Sequence, residues 1–219
     1  MQSHLEQCRY NMVEQQVRPW DVLDNKVLNV LEQTPRDVFV SSQYTNLAYA
    51  DTAIPLNNSQ HMMHPIIEGR ILQLLNIQPE DTILEIGTGS GYLTACLAQL
   101  GSHVDSLEID SKLAQLAEQN LQQLSISNIN ISCADGLDMN NIKKKYDIIV
   151  LTGSVSKISK ELKNTLTVNG RLFAISGTAP VMVAHLMTRK DEKNWHDETI
   201  FETVLKPLTN GEAKPDFKF

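Results

Sequence analysis

The 219-residue sequence predicts an α/β fold, a central and mostly parallel sheet covered by helices, with a helical segment ahead of it. Three observations predict it. From residue 80 onward, short apolar runs alternate with helix-patterned stretches, as βαβ units do. The run 147–151 is apolar enough for a strand buried on both faces. The run 82–86 leads into Gly87-Thr88-Gly89-Ser90-Gly91, a glycine-rich strand-to-helix turn of the kind found in doubly wound, Rossmann-like sheets.

In chain order, residues 4–17 read as one helix, with Leu5, Cys8, Met12 and Val17 on one face, broken by Arg18-Pro19-Trp20. A second helix, 24–33, takes Asp24 as its cap and carries Val27, Leu28, Val30 and Leu31. Residues 35–56 read as irregular. Pro65 opens a third helix that runs to Leu75. Strand 82–86, helix 92–100, strand 103–107, helix 111–124 with Ser111 as cap, and strand 129–133 follow. Strand 147–151, helix 159–166 and strand 171–175 complete the alternation. Residues 181–188 and 199–205 read as two late strands in an antiparallel pair. The tail after Pro207 is rich in Pro, Gly and charge. Residues 1–76 are expected to form a helical, substrate-loop segment packed over the mouth of the sheet. Residues 77–219 are expected to form the Rossmann-like domain, the two making one compact unit.

Bulk composition narrows the function. Apolar residues make up 42 % of the chain, a globular share, and charged residues 21 %. The formal net charge of −7 argues against a nucleic-acid surface, which needs clustered Lys and Arg. The densest basic run, Lys143-Lys144-Lys145, reads as a solvated loop. Cys8, Cys96 and Cys133 form no C-x-x-C pair and fit neither a disulfide frame nor a zinc knuckle, so reduced thiols in a cytoplasmic protein are expected. No signal peptide is expected at the N-terminus. No apolar run approaches the ~20 residues of a membrane span.

The ligand site is expected at the glycine loop. Gly87 and Gly89 permit a tight turn and close approach of a ligand to the main chain. Gly91 opens the helix, whose amide end favours a carboxylate. The spacing is G-x-G-x-G rather than the G-x-G-x-x-G of nicotinamide folds, and Glu85 stands two residues ahead of it. A carboxylate there repels a pyrophosphate and attracts the ammonium and sulfonium of S-adenosyl-L-methionine. Glu108, followed by Ile109, closes the second strand, where an acidic side chain accepts from ribose hydroxyls. Asp135-Gly136 closes the third, where a carboxylate can meet an adenine amino group. The cofactor-binding set is therefore Glu85, Gly87, Thr88, Gly89, Ser90, Gly91, Glu108, Ile109, Asp135 and Gly136.

With these residues in view, the chain resembles the protein-L-isoaspartate O-methyltransferase family over nearly its whole length. The shared text includes Arg36-Asp37-Val38-Phe39-Val40, Ala48-Tyr49-Ala50-Asp51, Ile54-Pro55-Leu56, and Gln60 with Pro65. It continues through Leu84–Ala95, Val104–Glu108, Tyr146–Thr152, Gly170-Arg171-Leu172 and Pro207-Leu208-Thr209. The glycine-loop text is common to many methyltransferases, whereas the Ala-Tyr-x-Asp stretch is more specific. The resemblance implies a methyl transfer from S-adenosylmethionine to the carboxyl of isoaspartyl residues in damaged proteins or peptides.

One departure stands out. The family reads Gly-Gln-Thr-(Ile/Val)-Ser-x-Pro where this chain reads Ser59-Gln60-His61-Met62-Met63-His64-Pro65. The family's Thr falls on His61 and its substrate-contacting Ser on Met63, a weak acceptor with no donor. The chain resembles a divergent branch, so a different, unidentified acceptor is the alternative, and a cofactor-binding partner protein with little catalysis is a third reading. Asp51, His61 and Met63 are the candidate catalytic residues, with Asp51 and Tyr49 orienting the acceptor. Gln60 and His64 belong to the same acceptor loop. Thr152 and Gly153 follow the fourth strand, the usual place for residues that face an acceptor. His61 and His64 stand at i, i+3 without an obvious third ligand, and no metal is expected.

Overall fold

A computed structural model describes residues 3–212; the end of the Pro- and charge-rich tail lies outside them. The N-terminal segment begins with α1 (His4–Asn11), whose first turn is closed reciprocally by Ser3 and Glu6. The expected single helix 4–17 proves to be two helical pitches in series, and the expected break at Arg18–Trp20 is a third. After α1 the chain loosens into a π-helical turn, Met12–Val17, and tightens into a 3-10 turn, Arg18–Trp20. Asp21, at φ 62°, ends the run. Helix α2 (Asn25–Gln33) follows, with Asp24 accepting from the Lys26 amide at its cap.

Residues 35–56, read from sequence as irregular, contain 3-10 turns at Arg36–Phe39 and Ser42–Leu47. Strand β1 (Ile54–Pro55) pairs with β2 (His61–Met62) in a small antiparallel hairpin. Its tip, Asn57–Ser59, turns through positive φ at Asn58 and Ser59. A two-residue strand is too short to leave a period-2 pattern, which is why the sequence did not reveal it. Helix α3 (Pro65–Leu75) then leads into the sheet domain.

The sheet elements are β3 (Thr82–Ile86), α4 (Tyr92–Leu100), β4 (His103–Glu108), α5 (Ser111–Gln123) and β5 (Ile129–Cys133). They continue with β6 (Tyr146–Leu151), α6 (Lys160–Asn164), β7 (Leu166–Thr178), β8 (Val181–Arg189) and β9 (Trp195–Glu202). The cap of α5 is Asp110, which accepts from the Lys112 and Leu113 amides, and not Ser111; a carboxylate one residue earlier reaches the free amides of the first turn. The predicted helix 159–166 is shorter because Leu166 already pairs with Tyr146 in the sheet. The last two strands pair antiparallel as expected, although β9 starts at Trp195 rather than 199.

Strand order is β5-β4-β3-β6-β7-β8-β9, parallel from β5 to β7 and antiparallel beyond. The chain moves outward from β3 in one direction to β4 and β5, and resumes on the other side at β6. A crevice opens outside the carboxyl ends of the strands at such a reversal. Alternate residues of the central strands feed two cores. Ile83, Ile148, Val150 and Phe173 join one that also contains Met12, Leu31 and Phe39 of the N-terminal segment. Leu84, Ile149, Leu151 and Leu172 join the other, on the opposite face. The apolar continuity of β3 and β6 follows from this two-sided burial.

Candidate active site

The carboxyl ends of β3, β4 and β6 form one wall of a cavity of about 290 Å³, near the small end for small-molecule sites. The hairpin β1–β2 and residues 204–209 supply the other walls.

The loop after β3 is shaped by its glycines. Gly87 sits at φ +97°, where a Cβ would stand 2.3 Å from Thr152 Oγ1. Gly91 occupies the N-cap of α4 at φ +89° and packs against Ala117 and Leu121 of α5. Gly87 and Gly89 line the cavity, whereas Gly91 acts from behind it. Thr88 and Ser90 are buried and border a smaller adjoining cavity with Met63 and Tyr92. The Thr88 hydroxyl shares a hydrogen bond with Ser106 at 2.6 Å, and the Ser90 carbonyl accepts from Asn120 at 2.9 Å.

Glu85 needs correction. It is fully buried, with Oε2 accepting from Thr94 at 2.5 Å and Ser106 at 2.6 Å, and it does not line the cavity. Burial pushes its carboxyl up to about 8, so it is chiefly neutral at pH 7. It braces β3, β4 and α4 beneath the loop, because strand alternation turns its side chain into the core. The negative charge at the cavity comes instead from the two other strand ends.

Glu108 accepts the Gly89 amide on Oε2 at 2.9 Å and the Asp110 amide on Oε1 at 3.0 Å. Ile109 beside it is part of the wall. Asp135 accepts the Leu137 amide on Oδ1 and the Asn210 side-chain amide on Oδ2, both at 2.8 Å. Gly136 lets the chain lie on Ile86, where a Cβ would come within 2.4 Å. Two carboxylates with apolar Ile109, Leu113 and Leu137 among the lining residues fit an adenosine bearing a cationic group. The carboxylates can accept from hydroxyls and an amine, the apolar side chains can cover the ring, and a polyphosphate would be repelled.

The acceptor residues divide. Gln60, His61, Met63, His64, Thr152 and Gly153 line the cavity. Asp51 does not, but its carboxylate lies 3.5 Å from His64 Nδ1 and accepts weakly from the Ile66 amide at 3.4 Å. Tyr49 does not reach the cavity either: its hydroxyl donates to Asp37, which draws it into the turn 37–49 and away from an acceptor. The Thr152 hydroxyl is committed to the carbonyls of Ile86 and Gly87. Gly153 lies under Leu208, with room for no Cβ. The Met63 side chain is 6 % exposed, part of the apolar wall rather than a projecting group.

Two features escaped the sequence reading. Arg36 is fully buried; it pairs with Glu68 and donates to the Met63 carbonyl at 2.6 Å, with its guanidinium 4.5 Å from the Tyr92 ring centre. Burial pushes the Glu68 carboxyl up to about 7 against the pull of that guanidinium. Residues 204–209 are the second feature, and their one signal was the Pro207-Leu208-Thr209 text. The Lys206 ammonium donates to the Ser59 carbonyl, and Asn58 donates to Asp110, so the hairpin tip is tied to both sides of the site. Among the described residues, no three His, Cys, Asp or Glu side chains gather in a metal-binding arrangement, and no helix is long and apolar enough to cross a membrane.

Residues 8–213 match the family described as protein-L-isoaspartate(D-aspartate) O-methyltransferase. A protein-L-isoaspartate O-methyltransferase of Protochlamydia amoebophila is 34 % identical over 204 residues, covering 92 % of this chain and 97 % of the relative. One from Gloeobacter violaceus is 38 % identical over 167 residues, covering 76 % and 82 %. The fold matches a crystal structure from Plasmodium falciparum, described as a protein of that kind in complex with S-adenosyl-L-homocysteine. The TM-score is 0.78 at 20 % identity, covering 94 % of this chain and 98 % of the other.

Proposed function

The chain belongs to the protein-L-isoaspartate(D-aspartate) O-methyltransferase family, and we propose that it transfers a methyl group from S-adenosylmethionine to the carboxylate of isoaspartyl residues in damaged proteins. The observation that carries this reading is the family match over nearly the whole chain, together with the strand-end cavity that joins the glycine loop, Glu108 and Asp135 to the 60–64 loop.

S-adenosylmethionine supplies an electrophilic methyl group on a sulfonium. Gly87, Gly89, Glu108, Ile109, Asp135 and Gly136 would hold it, with Glu85, Thr88, Ser90 and Gly91 supporting the loop from behind. An aspartyl-type carboxyl is ionised at neutral pH, so the chain needs no strong general base. Its task is to orient the acceptor and exclude water, because positioning supplies much of the rate and a dry pocket strengthens the charge interactions inside it. Gln60, His61, Met63 and His64 would form the acceptor wall, with Thr152 and Gly153 opposite. The Arg36–Met63 hydrogen bond supports the shape of that wall. The three cysteines are unpaired, which supports a cytoplasmic setting.

A second reading, a different acceptor in the same cavity, is favoured by Met63, whose buried thioether offers no hydroxyl where the family pattern carries Ser. Transfer of labelled methyl groups separates the two. Methyl esters formed on an isoaspartyl peptide, and not on its aspartyl isomer, are the expected result. Labelling of other acceptors only would overturn the repair reading.

A further inference from the structure

We infer that the acceptor carboxylate is held by basic side chains of the two segments that meet over the cavity, Lys206 on one and His61 with His64 on the other. This rests on the transfer reading above and names the groups that recognise its substrate.

These three are the basic side chains among the cavity-lining residues. All three come from the covering segments, whereas the lining carboxylates, Glu108 and Asp135, come from strand ends. Both oxygens of each carboxylate already accept a hydrogen bond from an amide, backbone in three cases and Asn210 in the fourth. They are therefore partly compensated without the three bases. Lys206 donates to one carbonyl, that of Ser59, and an ammonium has three donors. It thus joins the two segments and keeps donors for a bound anion. Asp51 lies beside Nδ1 of His64, and among the described residues Nε2 of His64 makes no hydrogen bond. Doubly protonated, His64 can donate through Nδ1 to Asp51 and through Nε2 to the anion, and an imidazole such as that of His61 has an N–H to offer a carboxylate in its neutral form as well. Met62 and Met63 are buried between the histidines in sequence, and an apolar wall strengthens a charge contact beside it. Thr152, the hydroxyl at the end of β6, is already spent on the glycine loop. The bases of the covering segments therefore take over the recognition of an anion.

The test is binding of a fluorescent isoaspartyl peptide to the protein loaded with S-adenosyl-L-homocysteine. The same peptide with that carboxyl converted to an amide serves as the comparison. Lys206→Met and the double variant His61→Leu/His64→Leu are each expected to weaken acid-peptide binding by about ten-fold or more, as loss of a hydrogen bond to a charged group does. Lys206→Arg should restore it, and every variant should bind S-adenosyl-L-homocysteine as the wild type does. The amide peptide should bind weakly to all of them. Wild-type affinity in both variants would overturn the inference, as would a wild type that fails to prefer the acid peptide. Binding of the acid peptide with no methyl transfer would sink the proposed reaction while supporting this assignment.

Discussion

The carboxylate of Glu108 accepts the backbone amide of Gly89 at 2.9 Å, so the end of β4 fixes the turn that follows β3. The residue expected to meet a ribose also holds the glycine loop in shape. Glu108→Ala should weaken S-adenosyl-L-homocysteine binding by about 1.5–3 kcal/mol, the loss expected for a hydrogen bond to a charged group. Calorimetry on the folded variant measures it, and an unchanged dissociation constant would leave Glu108 with no part in holding the cofactor.

Glu85 makes stability depend on pH. Its folded carboxyl is raised from 4.5 to about 8, so the folded state keeps a proton that the unfolded chain has lost. The contribution is fully present below pH 4.5, declines as pH rises, and is gone above about 8. Glu68, raised to about 7, acts in the same direction. Urea unfolding at pH 5 and pH 8 should show wild type losing more stability over that interval than Glu85→Gln. Equal losses would mean that Glu85 is ionised in the folded protein.

The Arg36–Glu68 pair is a buried charge pair under the acceptor loop. Removing the carboxylate strands a guanidinium that stays charged, so Glu68→Leu should cost about 3–5 kcal/mol in unfolding free energy. Arg36→Met/Glu68→Leu should cost less than the sum of the two single changes, because neither charge is then left unpaired. Additive losses would show that the two side chains contribute independently.

Met63 gives a prediction about rate. Its side chain lies in the wall while Arg36 holds its carbonyl, so Met63→Ser should leave the backbone in place. One added neutral hydrogen bond is worth about 0.5–1.5 kcal/mol. Met63→Ser, with His61 kept, should therefore methylate isoaspartyl peptide several-fold faster than wild type, with unchanged cofactor affinity. A Met63→Ser variant slower than wild type would argue that the methionine suits the native acceptor.

The sequence by itself determined the α/β class and most of the parallel strands, because buried strands must be apolar and their turns must carry glycine. It also determined the glycine loop, Glu108 and Asp135 as neighbours, since in this fold the strand ends share one rim. The resemblance in the text of residues 36–65 pointed to the family for the same reason: local motifs survive as local motifs. Tertiary structure decided what long-range contacts decide. Whether Glu85 presents a charge or lies neutral in the core depends on Thr94, Ser106 and the packing around them. Tyr49 turns toward Asp37, and Asp51 reaches the cavity only through His64, because side-chain direction is set by partners distant in sequence. Arg36 and Lys206 were invisible as site residues because each acts across the fold, on the carbonyl of Met63 or Ser59, and a backbone carbonyl leaves no signature in a sequence.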